Sequence, residues 1–194
     1  MAAKPRPFAA VVKATEQVLQ ARGIDHVFVG GLAVLAFGEP RTMTDVEVVA
    51  AYGPGDAAPL AEEFRRHGFH ASEEVLRAAL ADSTQCTIED QRSRGRVDLS
   101  PATTELGKDA IAARRSVRWR GMPLPIAGPE HMIVVKLAFG KEQDFEDALG
   151  ICKRQGTRLD VARMQELARK RGVLEEVQGL EFMAGVLAEE PSKG

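Results

Sequence analysis

The sequence predicts an α+β fold with a C-terminal helical part. Short β-branched runs bounded by glycine and proline dominate residues 25 to 126. A few amphipathic stretches of helical period lie before and among them. From residue 128 onward the apolar spacing is helical throughout. The 194 residues suit one domain, or one domain with a small appendage. A chain of this length buries roughly 70% of its unfolded surface and needs no disulfide or metal staple.

Residues 8 to 22 carry apolar side chains at helical spacing (Phe8, Val11, Val12, Val18, Leu19) and stop at Gly23. Asp25 to Val29 is a short strand ended by Gly30-Gly31, and Leu32 to Phe37 is a short apolar helix starting at that pair. Gly38-Glu39-Pro40-Arg41 reads as a turn. Thr44 to Ala51 is a β-branched strand. Leu60 and Phe64 among charged neighbours mark an amphipathic helix ending at Gly68. Thr84 to Glu89 and Gly95 to Leu99 are strands on either side of a polar turn. Leu106 to Arg114 is a short helix, and Val117 to Ile126 a hairpin around Gly121-Met122-Pro123. Pro129 opens a helix that reaches Gly140, and Gln143 to Leu187 is helical with breaks at Gly156, Gly172 and Gly179.

The composition excludes several classes. With 44% hydrophobic and 28% charged residues the chain has no signature of disorder. No apolar run approaches a membrane span, the best, Met132 to Phe139, being broken by Lys136. The polar N-terminus, Met1 to Pro7, does not resemble a signal peptide. Cys86 and Cys152 are too far apart in sequence for a redox or zinc motif, and Cys86 reads as a small buried strand residue. His67 and His70 lack further ligands at zinc spacing and read as surface residues. These features describe a soluble cytoplasmic protein with no membrane partner. Its net charge of −2 conceals a basic segment, Arg92 to Arg120, with eight basic and three acidic residues. Such a segment either meets a polyanion through one face or scatters its arginines over solvated strands.

Two clusters carry candidate chemistry. In Asp45-Val46-Glu47 the i, i+2 spacing puts two carboxylates on one strand face, roughly 6.5–7 Å apart at Cα. Two like charges so close call for a cation between them, and oxygen-only ligands suit Mg²⁺. Fourteen residues earlier, Gly30-Gly31 stands where a strand becomes a helix. There the backbone approaches a ligand closely and free N–H groups favour phosphate. Singly, a glycine pair is a turn and an Asp-x-Glu an exposed strand face; together they suit a nucleoside triphosphate with Mg²⁺. Asp98, in Arg96-Val97-Asp98-Leu99, is a third acid, costly to bury unless paired or metal-bound. Its alternative is an outward-facing residue bonded to Arg96 or Arg94.

These residues resemble the signature of the minimal nucleotidyltransferase superfamily, with its polymerase-β-like fold: Gly30-Gly31, Gly38 to Thr42, then Asp45-Val46-Glu47. Asp98 matches the third acid. A second block, Pro129 to Ala138 and Lys141 to Asp147, resembles the AbiEii-type nucleotidyltransferase toxins and their bacterial relatives. The resemblance implies a mixed β-sheet flanked by helices, with a catalytic core over 1–127 and a helical subdomain over 128–194. It implies an NTP substrate and Mg²⁺ held by Asp45, Glu47 and Asp98. Gly30 and Gly31 would cradle the phosphates, and Lys136 would reach the triphosphate or the acids. Asp144 and Asp147, one face of a helix, would hold Lys136 or Lys141 in place; the alternative is a solvated helix face. Asp98 would also serve as general base. The implied reaction is transfer of a nucleoside monophosphate to a hydroxyl acceptor, tRNA or protein, by a toxin with a linked antitoxin partner. The alternatives are an antibiotic-modifying nucleotidyltransferase and a degenerate fold that binds without turnover. Glu47 departs from the commoner Asp at its position, which carries the carboxylate further from the strand.

Overall fold

The strand that leads into the glycine pair lies inside a seven-stranded mixed sheet of order β3-β4-β5-β2-β1-β7-β6. The computed structural model describes residues 5–185; Met1–Lys4 and the end of the helical run expected to reach Leu187 lie outside them. The described chain divides into two compact units. One comprises residues up to Leu32 together with Thr42–Ala127; the other comprises Ala33–Arg41 and the residues from Gly128 on.

The first unit holds the whole sheet. After α1 (Phe8–Ala21) come β1 (His26–Phe28), the glycine start of α2 (Gly30–Phe37), and β2 (Asp45–Ala50). Then follow α3 (Ala57–Arg66), β3 (Phe69–His70), α4 (Glu73–Asp82), β4 (Cys86–Asp90), β5 (Arg96–Pro101), α5 (Glu105–Ala112), β6 (Arg114–Trp119) and β7 (Met122–Ala127). β1 pairs antiparallel with β2 and parallel with β7, and β2 pairs parallel with β5. Strand alternation gives the sheet two unlike faces. Val46, Val48 and Ala50 are buried beside Val97, Leu99, Cys86 and Ile88, forming the apolar face. Asp45, Glu47 and Asp98 occupy the other.

Two elements were not expected, β3 and α4. The α4 helix buries only Leu76 and Ala79, so its apolar stripe is thin. Its readable signal lay in Ser72 before two glutamates and an alanine-rich run, features of a helix start and of high helix propensity. The helix expected to run to Arg114 stops at Ala112, because Arg114 and Arg115 already pair with Ala127 and Ile126 across the β6–β7 hairpin. Arg120 and Gly121 form the two-residue turn of that hairpin at φ +46° and +85°. This double positive φ matches the right-handed twist of the flanking strands. Pro123 and Pro125 cannot donate to a neighbour. β7 accordingly meets β1 only at Ile126, beyond both prolines.

The second unit is helical: α6 (Pro129–Phe139), α7 (Glu142–Gln155), a short 3₁₀ turn, α8 (Val161–Arg171) and α9 (Leu174–Ala184). α6 starts with proline at its first position and ends at Gly140 with φ +68°. α7 also closes the end of α2, where Arg154 donates to the Gly38 carbonyl and Gln155 Nε2 to the Phe37 carbonyl at 2.7 Å. Among the described residues no helix is long and apolar enough to cross a membrane.

Glu181 of α9 is fully buried, and Gln165 Nε2 donates to both its carboxylate oxygens at 3.0 and 3.3 Å. Burial pushes its pKa up, with the Gln165 hydrogen bond opposing. A carboxyl whose folded pKa is raised loses stabilisation as pH climbs from its unfolded value through its folded one. Glu181→Gln is therefore expected to raise Tm at neutral pH, with the gain vanishing near about pH 4. Melting curves across that range check it. The nearby Cys152 thiol is pushed up to about 11 by burial, then by the Glu181 charge, which leaves it unreactive at neutral pH.

Candidate functional site

The site is built at the start of β2 and β5. Their parallel register sets Asp45 opposite Arg96 and Glu47 opposite Asp98, so all four side chains share one sheet face. Asp45 and Glu47 are half-buried, whereas Asp98 is buried.

Each carboxylate has an internal partner. Arg96 Nη2 donates to Asp45 Oδ2 at 2.8 Å, and Arg96 Nε lies 3.7 Å from Asp98 Oδ2. Thr87 Oγ1, opposite Asp98 on β4, donates to Asp98 Oδ1 at 2.8 Å. Asp98 thus lies beside the other two acids and also contacts Arg96, so the two alternatives left open by the sequence coexist. Glu47 reaches back to the glycine turn, where its Oε2 accepts from the Gly31 N–H at 3.0 Å. The extra methylene relative to Asp gives Glu47 that reach.

The glycine pair is packed as tightly as its sequence suggests. Gly30 has φ +55°, and a Cβ there would sit 1.6 Å from Glu47 Oε2. A Cβ on Gly31 would meet Met43 Cγ and Sδ at 2.8 Å. Gly30→Ala is expected to cost about 1–2 kcal/mol for the left-handed backbone alone and to drive Glu47 off Gly31. Thermal melting checks the first loss, and nucleotide titration checks a second, in Mg²⁺-NTP affinity.

The oxygen donors of Asp45, Glu47 and Asp98 are chemically suited to a hard divalent cation. Among the described residues, however, no group of three or more His, Cys, Asp or Glu side chains is arranged to hold a metal ion. The donor set fits such a cation, while Arg96 and the Gly31 amide now take the lone pairs that it would need.

Lys136, Lys141, Asp144 and Asp147 belong to the second unit. Asp144 and Asp147 hold Lys136, at 2.6 and 3.0 Å from Nζ, whereas Lys141 is exposed at the head of α7. Arg41 Nη1 adds a contact to Asp147 Oδ2 at 2.5 Å. Burial tends to lower the Lys136 pKa, but hydrogen bonds and charge from both aspartates outweigh it, and the net shift is upward.

The basic segment does not form one patch. Arg92 and Arg94 lie in the turn between β4 and β5, with Arg96 at the start of β5, while Arg114, Arg115 and Arg118 lie on β6 and Arg120 in the turn after it. β2, β1 and β7 separate β5 from β6, a span of roughly 19 Å at sheet spacing. Arg92 instead lines a cavity of about 550 Å³ with Arg6, Lys13, Arg66 and His67.

Arg96, Thr87 and Arg41 are the contributors that sequence reasoning did not assign. Arg96 was readable in principle, since it stands two residues before Asp98 in the same strand and so shares its face. Thr87 and Arg41 depend on register and tertiary contact.

Neither a family model nor a curated protein matches the sequence. Solved structures do. The chain is similar to ANT(2″)-Ia in complex with adenylyl-2″-tobramycin, at 13% identity and TM-score 0.57, covering 89% of this chain and 99% of that one. It is also similar to an antigenic nucleotidyltransferase-like protein from Paracoccidioides brasiliensis, at 14% identity and TM-score 0.52, covering 96% of each chain. These likenesses establish the fold: a mixed sheet flanked by helices, of the nucleotidyltransferase type.

Proposed function

We propose that the protein is a nucleotidyltransferase that moves a nucleoside monophosphate from an NTP to the hydroxyl of an acceptor. The observation that carries this reading is the placement of Asp45, Glu47 and Asp98 on one sheet face beside the tight Gly30-Gly31 turn. Asp45, Glu47 and Asp98 would hold a divalent cation such as Mg²⁺, which when bound supplies Lewis-acid activation of the α-phosphate. Gly30 and Gly31 allow the backbone to approach phosphate, and their position at the head of α2 offers N–H donors to it. Asp98 is the group to take the acceptor hydroxyl's proton, since Thr87 and the β-sheet fix its orientation. Lys136 keeps its proposed nucleotide-binding role on the family resemblance alone.

For the acceptor, a small hydroxylated antibiotic is the better supported class. The basic segment that pointed to a nucleic acid is split across the sheet, and the similar ANT(2″)-Ia holds an adenylylated tobramycin. The cavity lined by Arg6, Lys13, Arg66 and Arg92 supports a second reading, a tRNA acceptor. A protein acceptor and an antitoxin partner rest on the toxin-like resemblance.

The deciding experiment incubates the protein with each labelled NTP and Mg²⁺. Parallel reactions hold a panel of aminoglycosides and related antibiotics, total RNA, or total protein. Label on an antibiotic supports the first acceptor class, and label on RNA the second. Absence of both label transfer and pyrophosphate release, with NTP binding retained, would identify a nucleotide-binding scaffold.

A further inference from the structure

Three carboxylates sharing one sheet face repel one another unless a positive group lies among them. In this structure a single guanidinium answers two of them. Arg96 places Nη2 2.8 Å from Asp45 Oδ2 and Nε 3.7 Å from Asp98 Oδ2. The geometry follows from the strands. Arg96 is in register with Asp45 across β2 and β5, and it precedes Asp98 by two residues on β5, so all three point to one face.

Arg96 occupies this position without being locked into it. Its side chain is 50% exposed and that of Asp45 is 26% exposed. Pairs this open are weakly held, because water solvates both partners well. Glu89 stands opposite Arg96 on β4 and is exposed, so a second carboxylate lies within the same stretch of the sheet face.

We infer that Arg96 is the internal counter-cation of the carboxylate site and is displaced when a divalent cation binds. This inference rests on the reading of Asp45, Glu47 and Asp98 as cation ligands. A guanidinium and a divalent cation need the same lone pairs on Asp45 and Asp98, and two cations cannot share them at these distances. Arg96 therefore lowers the affinity of the site for metal. It also keeps the acids paired while the site is empty of ligand.

The test is calorimetric titration of the full chain with Mn²⁺ at low ionic strength, without nucleotide. The variants are Arg96→Met, Arg96→Lys, Arg94→Met and Asp45→Asn. Arg94 is an exposed neighbour in the β4–β5 turn and controls for the loss of one positive charge near the site. Arg96→Met is expected to bind Mn²⁺ roughly three- to tenfold more tightly than wild type, the scale of losing a surface ion-pair competitor. Arg96→Lys keeps the charge without the fork and should fall between them. Arg94→Met should stay within about twofold of wild type, and Asp45→Asn should bind more weakly. Without metal, Arg96→Met should melt below wild type, and Mn²⁺ should raise its Tm by more than it raises the wild type's.

If Arg96→Met binds no more tightly than Arg94→Met while Asp45→Asn still weakens binding, displacement of Arg96 is wrong and the cation-ligand reading stands. If neither the wild type nor any variant binds Mn²⁺, both fall together.

Discussion

Replacing Asp45 by Asn is expected to cut nucleotidyl transfer by at least about 100-fold, the scale of removing one electrostatic element from an active site. Stability should scarcely move. Asp45 pairs with Arg96 in a solvent-exposed contact, which is worth at most about 1 kcal/mol, and the substitution also relieves repulsion from Glu47 and Asp98. For a chain of this size that limits the change in Tm to roughly 4 °C. Melting curves with and without Mg²⁺-NTP, beside a pyrophosphate-release assay, check both halves. The wild type should be stabilised by millimolar Mg²⁺-NTP and the variant should not. A large fall in Tm with nucleotide binding intact would make Asp45 a structural partner of Arg96 and nothing more. A wild type with no thermal response to Mg²⁺-NTP would remove the nucleotide from the reading altogether.

Lys136→Met should have the opposite profile, a large loss of stability originating in the second unit. The side chains of Lys136, Asp144 and Asp147 are 11%, 11% and 5% exposed, and the ammonium touches both carboxylates. Removing it leaves Asp144 without its counter-charge and Asp147 with Arg41 as its remaining cation. Breaking a buried ion pair from one side costs about 3–5 kcal/mol, which corresponds to a fall in Tm of roughly 6–20 °C. The triple variant Lys136→Met, Asp144→Asn, Asp147→Asn should recover much of that loss, because it removes the stranded charges together with their partner. Equal instability of the single and triple variants would show that packing of the aliphatic stem, and not charge, is what the cluster supplies. The pH dependence has a definite sign. The Lys136 pKa is raised, so its stabilisation is fully present below the ordinary lysine value of about 10.4 and is lost only as pH rises through the higher folded value. Between about pH 6 and 9 the wild-type contribution should be flat.

Much of this molecule was legible in its residue order because the relevant physics is local. Strand alternation in Asp45-Val46-Glu47 and in Arg96-Val97-Asp98 determined which side chains share a face before any partner strand was known. The glycine pair announced a close approach, and Gly30 does hold a left-handed φ. Pro129 and Gly140 set the bounds of α6 through a missing N–H and a left-handed cap. An alternating apolar pattern likewise fixed the faces of β2. The weak patterns were lost: α4 buries two side chains and β3 has two residues, too little apolar periodicity to register.

Tertiary structure decided which acids meet and what answers their charge. Nothing local requires β2 to lie beside β5, fifty residues away. Only that pairing brings Glu47 to Asp98 and places Arg96 between Asp45 and Asp98. Sheet order also dispersed a basic run that looks continuous in sequence, because β2, β1 and β7 intervene between β5 and β6. Of the two lysines that Asp144 and Asp147 might have held, the fold selected Lys136, whose burial on α6 makes ion pairing obligatory, and left Lys141 in water. The reason is common to all three cases. Backbone sterics and side-chain periodicity act over a few residues and can be read in order, whereas charge pairing acts through space, and the chain's path determines which charges become neighbours.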